Sequence, residues 1–244
     1  MRDYALEVEN RVAFIQNALK SAGATGLVFG NSGGKDSALA GILCKMACED
    51  TVGIIMPCAS KRNFGEDRTD ALAVADQYNI QTRMVDLTPA REALVASLAG
   101  VTTPNTAALQ NIAPRLRMVT VYAIAASENR LVVGTGNRSE YHMGYFTKWG
   151  DGAYDLNPIA DLTVSEIYEF LRYLNAPQNI VEKAPSAGLI EGQTDEEDMG
   201  VTYASIDKYL QTGEASAQDL AIITRYHNAT HHKRQPALRY TPGT

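Results

Sequence analysis

Six consecutive residues, Ser32-Gly33-Gly34-Lys35-Asp36-Ser37, combine the side chains needed to hold a polyphosphate. Gly33 and Gly34 let the backbone approach an anion with no Cβ in the way. Ser32 and Ser37 add hydroxyl donors. A carboxylate is a poor direct partner for phosphate, so Asp36 is expected to hold Mg²⁺, which then bridges to phosphate oxygens. The order differs from GxxxxGK[ST], in which Lys and Ser/Thr follow the second glycine. The plain alternative is a glycine-rich turn with a Ser/Asp cap.

The flanking segments favour the first reading. Thr25–Gly30 is a short apolar run between glycines and reads as a buried strand. The hexad then opens into a helix with Leu39, Ile42, Leu43 and Met46 on its apolar face, so free backbone N–H groups gather at the positive end of a helix dipole. Further strands are expected at Thr51–Met56, Ile80–Leu87 and Arg130–Gly134, with helices at Val8–Lys20, Glu66–Tyr78 and Arg91–Leu98. This alternation predicts an α/β fold, a doubly wound, mainly parallel sheet with helices on both faces. Pro114 is placed in the first turn of a helix that carries Arg115 and runs on through Tyr122. Thr135–Pro158 is glycine-rich, aromatic and aperiodic, a length of irregular chain expected to be functional. The last third is helical, with helices at Thr163–Leu174, about Asp195–Leu210 and Ala215–His227, before a basic end, His231–Pro236, expected to be mobile.

A chain of 244 residues can bury its core as one domain, 1–244. Its net charge of -6 argues against broad binding to nucleic acid or membrane, so an anionic ligand must be met locally by a few cations, N–H groups or a metal. The amino-terminal stretch lacks the apolar core of a signal peptide, and a cytoplasmic location is expected. Cys44, Cys48 and Cys58 form no CxxC pair or zinc pattern and read as small core residues.

The hexad resembles the loop of the ATP pyrophosphatases, which split ATP between the α and β phosphates. Several enzymes share it, including NAD, GMP and asparagine synthetases and tRNA-modifying ligases. The later segments Val132–Glu140, Gly144–Gly152, Asp155-Leu156-Asn157-Pro158, Asn111–Met118, Pro185-Ser186-Ala187, Gly192–Glu196 and His232-Lys233-Arg234 resemble, in order, those of the NAD synthetases. That family converts deamido-NAD to NAD. ATP adenylates the nicotinate carboxylate, releasing pyrophosphate, and ammonia displaces AMP.

The resemblance implies that Ser32, Gly33, Gly34, Lys35, Asp36 and Ser37 bind ATP phosphates, with Thr135 and Ser186 as further ATP contacts. Asp36 and Glu140 are the implied catalytic pair and Mg²⁺ ligands. Arg115, Lys148, Asp155, His232 and Lys233 are the implied deamido-NAD contacts. Lys35 fills the variable position of the loop and is expected to lie in solvent, and Arg117, two residues from Arg115, is expected to be structural. His142 beside Glu140 has no partner at zinc-ligand spacing. Nine residues after Asp155, where many family members carry a phosphate-contacting Lys, stands Val164. Another cation, with Lys183 a candidate, or the metal is expected to replace that charge. A synthetase match over the whole chain leaves no room for a glutaminase domain, which implies free ammonia as nitrogen donor, and the family implies a homodimer. Another ATP pyrophosphatase, or a nucleotide-binding regulator without catalysis, remains the competing reading.

Overall fold

The computed structural model describes residues 2–183 and 194–241. In chain order the elements are α1 (Tyr4–Ala22), β1 (Gly26–Gly30), α2 (Lys35–Ala47), β2 (Thr51–Ile55), α3 (Lys61–Phe64), α4 (Glu66–Tyr78), β3 (Gln81–Met84), α5 (Thr88–Leu98) and α6 (Thr106–Glu128). They continue with β4 (Arg130–Val133), α7 (Arg138–Met143), α8 (Val164–Tyr173), α9 (Gln178–Glu182), α10 (Asp195–Met199), α11 (Tyr203–Thr212), α12 (Ala217–Ala229) and α13 (His231–Arg234).

Alternate residues of β1 point to opposite faces, and both faces are covered. Leu27 and Phe29 join Leu39, Ile42, Ile167 and Phe170 under α2 and α8, while Val28 joins Val52, Ile54, Val121 and Val132 against α6. The strands are parallel throughout, in the order β3-β2-β1-β4, with Leu27 opposite Thr51 on one side and Leu131 on the other. The chain therefore steps outward from β1 to β3 and then crosses to β4 on β1's free side. Loops leaving the carboxyl ends of β1 and β4 diverge there, and such a crevice is where open α/β sheets bind ligands.

The parallel doubly wound sheet agrees with expectation, and the differences are local. Pro114 lies inside α6 rather than in its first turn, because the helix starts earlier, where the Asn105 side chain caps the N–H of Ala108. The single helix expected over Asp195–Leu210 is two, broken at Gly200 (φ 75°), after which Thr202 caps the second. The basic end is not loose up to residue 234. His231–Arg234 form α13, and Arg234 donates to the carbonyls of His142 and His227. Cys44 and Cys58 are buried, as expected, and all three cysteines are free.

Gly41 shows how closely α2 lies on β1, since a Cβ there would stand 2.5 Å from the Phe29 ring. Overpacking at such a contact costs about 1–3 kcal/mol, so Gly41→Ala should lower the unfolding free energy by that amount in urea titrations. At the other face of α1, Arg11 binds Glu7 (2.7 Å), Asp161 (2.7 Å) and the carbonyl of Pro158, and Arg2 binds Glu166 (2.8 Å), tying the helix to the loop before α8. Burial alone would raise the carboxyls of Asp161 and Glu166, but their arginine partners outweigh it and hold both below the usual range. Carboxyls depressed in the folded state stabilise it above their unfolded pKa of about 4, and that stability is lost as pH falls through the folded values. Acid unfolding followed by circular dichroism should show this loss in the natural chain and a shallower pH dependence in Arg11→Met.

Candidate active site

The hexad sits where β1 ends. Asn31 donates its side-chain amide to the carbonyl of Ala71 (3.1 Å), fixing the strand end to α4. Gly33 then takes a φ of 73°, and any Cβ on it would collide with the carbonyl oxygen of Asp67. Only glycine meets both demands. Gly34 caps α2 without a side-chain hydrogen bond, so the first N–H groups of the helix have no capping partner of their own. Ser32 and Ser37 hydroxyls lie 3.0 Å apart above them.

Glu140 reaches the same place from β4. Asn157 donates to the carbonyl of Gly136 (2.8 Å), setting the turn after the strand, and α7 begins with a capping box. In it the Asn137 carboxamide oxygen accepts from the Glu140 N–H (2.9 Å), and the Glu140 carboxylate accepts from the Asn137 N–H (3.2 Å). The other end of the Asn137 side chain donates to Asp36 Oδ1 (3.0 Å). One buried asparagine thus ties both carboxylates, Asp36 through its side-chain amide and Glu140 through its backbone N–H, from opposite sides of the switch point. Asp207 holds α7 from behind, accepting from Ser139 (2.5 Å) and from the N–H and hydroxyl of Ser165 (2.7 and 2.6 Å).

Lys35 departs from the solvated position expected of it. It is 7% exposed, its ammonium 2.7 Å from Asp36 Oδ2 and 5.7 Å from the centroid of the Tyr203 ring. Burial opposes its charge, but Asp36 and Glu140 outweigh the burial and keep it protonated. Burial pushes the Glu140 carboxyl well above its ordinary range, and the neighbouring Asp36 pushes it further, against the pull of Lys35. Asp195, buried and hydrogen-bonded by Tyr203 (3.2 Å), adds to that negative field. Carboxylates crowded this way call for more positive charge than one lysine gives. Among the described residues no three His, Cys, Asp or Glu converge as metal ligands. Two carboxylates fit Mg²⁺, which keeps several waters and is held by one or two carboxylates together with substrate phosphates.

The loop, Asp36, Glu140 and Thr135 line one cavity of about 440 Å³, which Lys233 also borders. Arg115, Lys148 and His232 form a second group. Arg115 donates to the carbonyl of Lys148 (3.3 Å), and the Lys148 ammonium donates to the carbonyls of His232 (2.6 Å) and Gln235 (2.8 Å). Lys233 bridges the groups, donating to the carbonyls of Gly144 and Phe146, both at 2.8 Å. Asp155 lies apart, accepting from the N–H of Val132 (2.8 Å) and the hydroxyl of Tyr122 (3.1 Å) at the edge of β4. Ser186 lies outside the described residues.

Arg117, read as structural, donates to the carbonyl of Met56 (3.1 Å) and to Asn63 (3.0 Å) on the cavity wall. Val164 is buried with Met143, Met199 and Tyr203. Lys183 pairs with Asp67 (2.9 Å) and Asp70 (2.6 Å) beside the Gly33 carbonyl. His142 stacks on His227, centroids 4.2 Å apart, and burial lowers its pKa to about 4. Sequence reasoning missed Asn137, although an Asn three residues before a Glu is a readable capping signal. Tyr203 had no local signal, because tertiary packing alone brings it to Lys35.

The model of the NAD synthase family matches residues 7–237. A relative from Carboxydothermus hydrogenoformans named NH(3)-dependent NAD(+) synthetase is 49% identical over 94% of each chain. The solved NMN synthetase of Francisella tularensis is 40% identical, covers 100% of both chains and superposes with a TM-score of 0.93. The NH3-dependent NAD synthetase of Campylobacter jejuni, solved with a nitrate ion, is 29% identical over 98% of this chain and 100% of its own, with a TM-score of 0.79. A glycine loop at β1, a carboxylate facing it from β4 and a family match along almost the whole sequence converge, and the chain belongs to the NAD synthase family.

Proposed function

We propose that the protein is a ligase that uses ATP and ammonia to convert deamido-NAD to NAD, releasing AMP and pyrophosphate. The observation that carries this reading is the convergence of the Asp36 and Glu140 carboxylates on Asn137, one on its side chain and one on its backbone N–H, facing a loop rich in N–H and hydroxyl donors. Ser32, Ser37 and the first N–H groups of α2 bind the ATP phosphates at the positive end of the helix dipole. Thr135 and Ser186 are further contacts to ATP. Asp36 and Glu140 would hold Mg²⁺, which would supply positive charge to neutralise the phosphates.

A carboxylate is a poor electrophile, and its charge repels a nucleophile. Transfer of the adenylyl group to the nicotinate carboxylate removes that charge and creates a leaving group. The protein's task is to hold two anions against each other and to keep water from the mixed anhydride. In this reading Arg115, Lys148, His232 and Lys233 counter the charge of the second nucleotide. Asp155 contributes by fixing the edge of β4 through Val132. Free ammonia is the nitrogen donor, a homodimer the assembly, and 1–244 a single synthetase domain in this reading. No described helix is long and apolar enough to cross a membrane.

A second substrate reading has its own support. The Francisella NMN synthetase superposes with a TM-score of 0.93 against 0.79 for the Campylobacter NAD synthetase. The same chemistry applied to the mononucleotide of nicotinic acid would give NMN. Initial rates with Mg·ATP, ammonium and either acid nucleotide decide between them, the larger kcat/KM naming the substrate. AMP and pyrophosphate are expected in both cases, and formation of ADP would refute both. Asp36→Asn and Glu140→Gln should each lower kcat about 100- to 1,000-fold. Asn137→Ala should leave the chain folded and weaken Mg²⁺, read by metal titration with ATP present, about 10- to 100-fold.

A further inference from the structure

One buried charge serves the site without bordering it. Asp207, on α11, is 3% exposed, and among the described residues no Lys, Arg or His pairs with it. Arg138, the sequence neighbour of Ser139, turns its guanidinium to the carbonyl of Leu210 (3.0 Å) instead. A charge taken out of water is costly unless other groups compensate. Here three donors do so, the Ser139 hydroxyl on one oxygen (2.5 Å) and the N–H and hydroxyl of Ser165 on the other (2.7 and 2.6 Å). Ser165 lies in the first turn of α8, whose N–H groups have no intrahelical acceptor and form the positive end of the helix.

The two oxygens serve different helices. Oδ2 binds α8, and Oδ1 binds α7 through Ser139. The Ser139 hydroxyl accepts from the N–H of Val164 (3.4 Å) and commits its one proton to Asp207. Ser139 is fully buried and stands between Asn137 and Glu140, in the capping turn that holds both. Among the described residues that line the cavity are Asp36 and Glu140, but neither Ser139 nor Asp207. A carboxylate on α11 thereby fixes the backbone from which Glu140 faces Asp36. Shape alone would not do this. An amide at position 207 could accept from Ser165 through its oxygen, but its nitrogen would then aim a donor at Ser139, whose own proton would lose its acceptor.

We propose that Asp207 is a positioning residue for the metal and pyrophosphate subsite, setting through Ser139 where the Glu140 carboxylate stands and so how tightly Mg²⁺ is held with the leaving phosphates. The inference rests on the reading of Asp36 and Glu140 as the residues that hold Mg²⁺. Asp207 touches neither nucleotide nor metal and transfers no proton.

Calorimetry with Mg·pyrophosphate and with adenosine tests it. Asp207→Asn and Ser139→Ala should each bind Mg·pyrophosphate about 10-fold more weakly, the scale of losing a partner behind a metal ligand, with adenosine affinity unchanged. Because both act through one contact, the double variant should lose no more than about twofold beyond the weaker-binding single variant. In steady state the Mg²⁺ concentration for half-maximal rate should rise about 10-fold, while kcat at saturating Mg²⁺ stays within about threefold. Ser139→Ala leaves the carboxylate bonded to Ser165 and serves if Asp207→Asn does not fold. A lowered Tm with unchanged Mg·pyrophosphate affinity would overturn the proposal and leave Asp207 a support of the fold alone. Losses that multiply in the double variant would overturn it too, as would an equal loss of adenosine binding. No binding of Mg·pyrophosphate by the natural chain would instead refute the metal reading on which the proposal rests.

Discussion

Two carboxylates cannot be brought together in a buried crevice without something to hold them, and in this fold that something is the side chain of Asn137. It donates to Asp36 and accepts from the backbone of Glu140, so the loops leaving β1 and β4 are set against each other by one amide. Much of the remaining chain serves that joint. Asn31 and Gly33 fix the β1 side to α4, while Asn157 and Asp207 fix the β4 side to the segment before α8 and to α11. The helical last third is therefore part of the site's construction, since α11 supplies both Asp207 and the Tyr203 ring beneath Lys35.

A second set of residues, of which Lys233 borders the cavity, is built on different terms. Lys148 and Lys233 spend their hydrogen bonds on backbone carbonyls of other segments, which closes α13 onto the Gly144–Lys148 stretch. Used this way, Lys233 fixes the shape of the cavity wall while leaving its positive charge beside the cavity. The carboxylate side of the site is thus defined by two carboxyl groups tied to one asparagine, and the cationic side by lysines satisfied through neutral dipoles.

The loop was legible because its chemistry is local. Ser, Gly and Asp at fixed positions before a helix carry their reason within six residues, and the strand-helix alternation around them announced the sheet. Glu140 was legible only by resemblance, since a lone glutamate in an irregular stretch has no physical signature. Lys35 was misjudged for a related cause. A lysine at the start of a helix is ordinarily solvated, and its burial here depends on Tyr203, 168 positions away in sequence, which no periodicity relates to it. Asp155, implied to meet the substrate, accepts from the N–H of Val132 and the hydroxyl of Tyr122, contacts that no local pattern in the sequence announces. Gly200 alone gave no sign that it would split a helix, as a glycine inside a helical pattern is often tolerated.

Asn137 also makes the joint depend on a single amide nitrogen. Asparagine and aspartate differ by one group of nearly the same size, so hydrolysis of this amide would leave the backbone and the packing almost unchanged. The product would be a third carboxylate, placed between Asp36 and Glu140 and able only to accept where the amide had donated. A joint that holds two like charges together would become a third charge driving them apart. A carboxyl at this position would undo the joint by electrostatics, with the fold still in place.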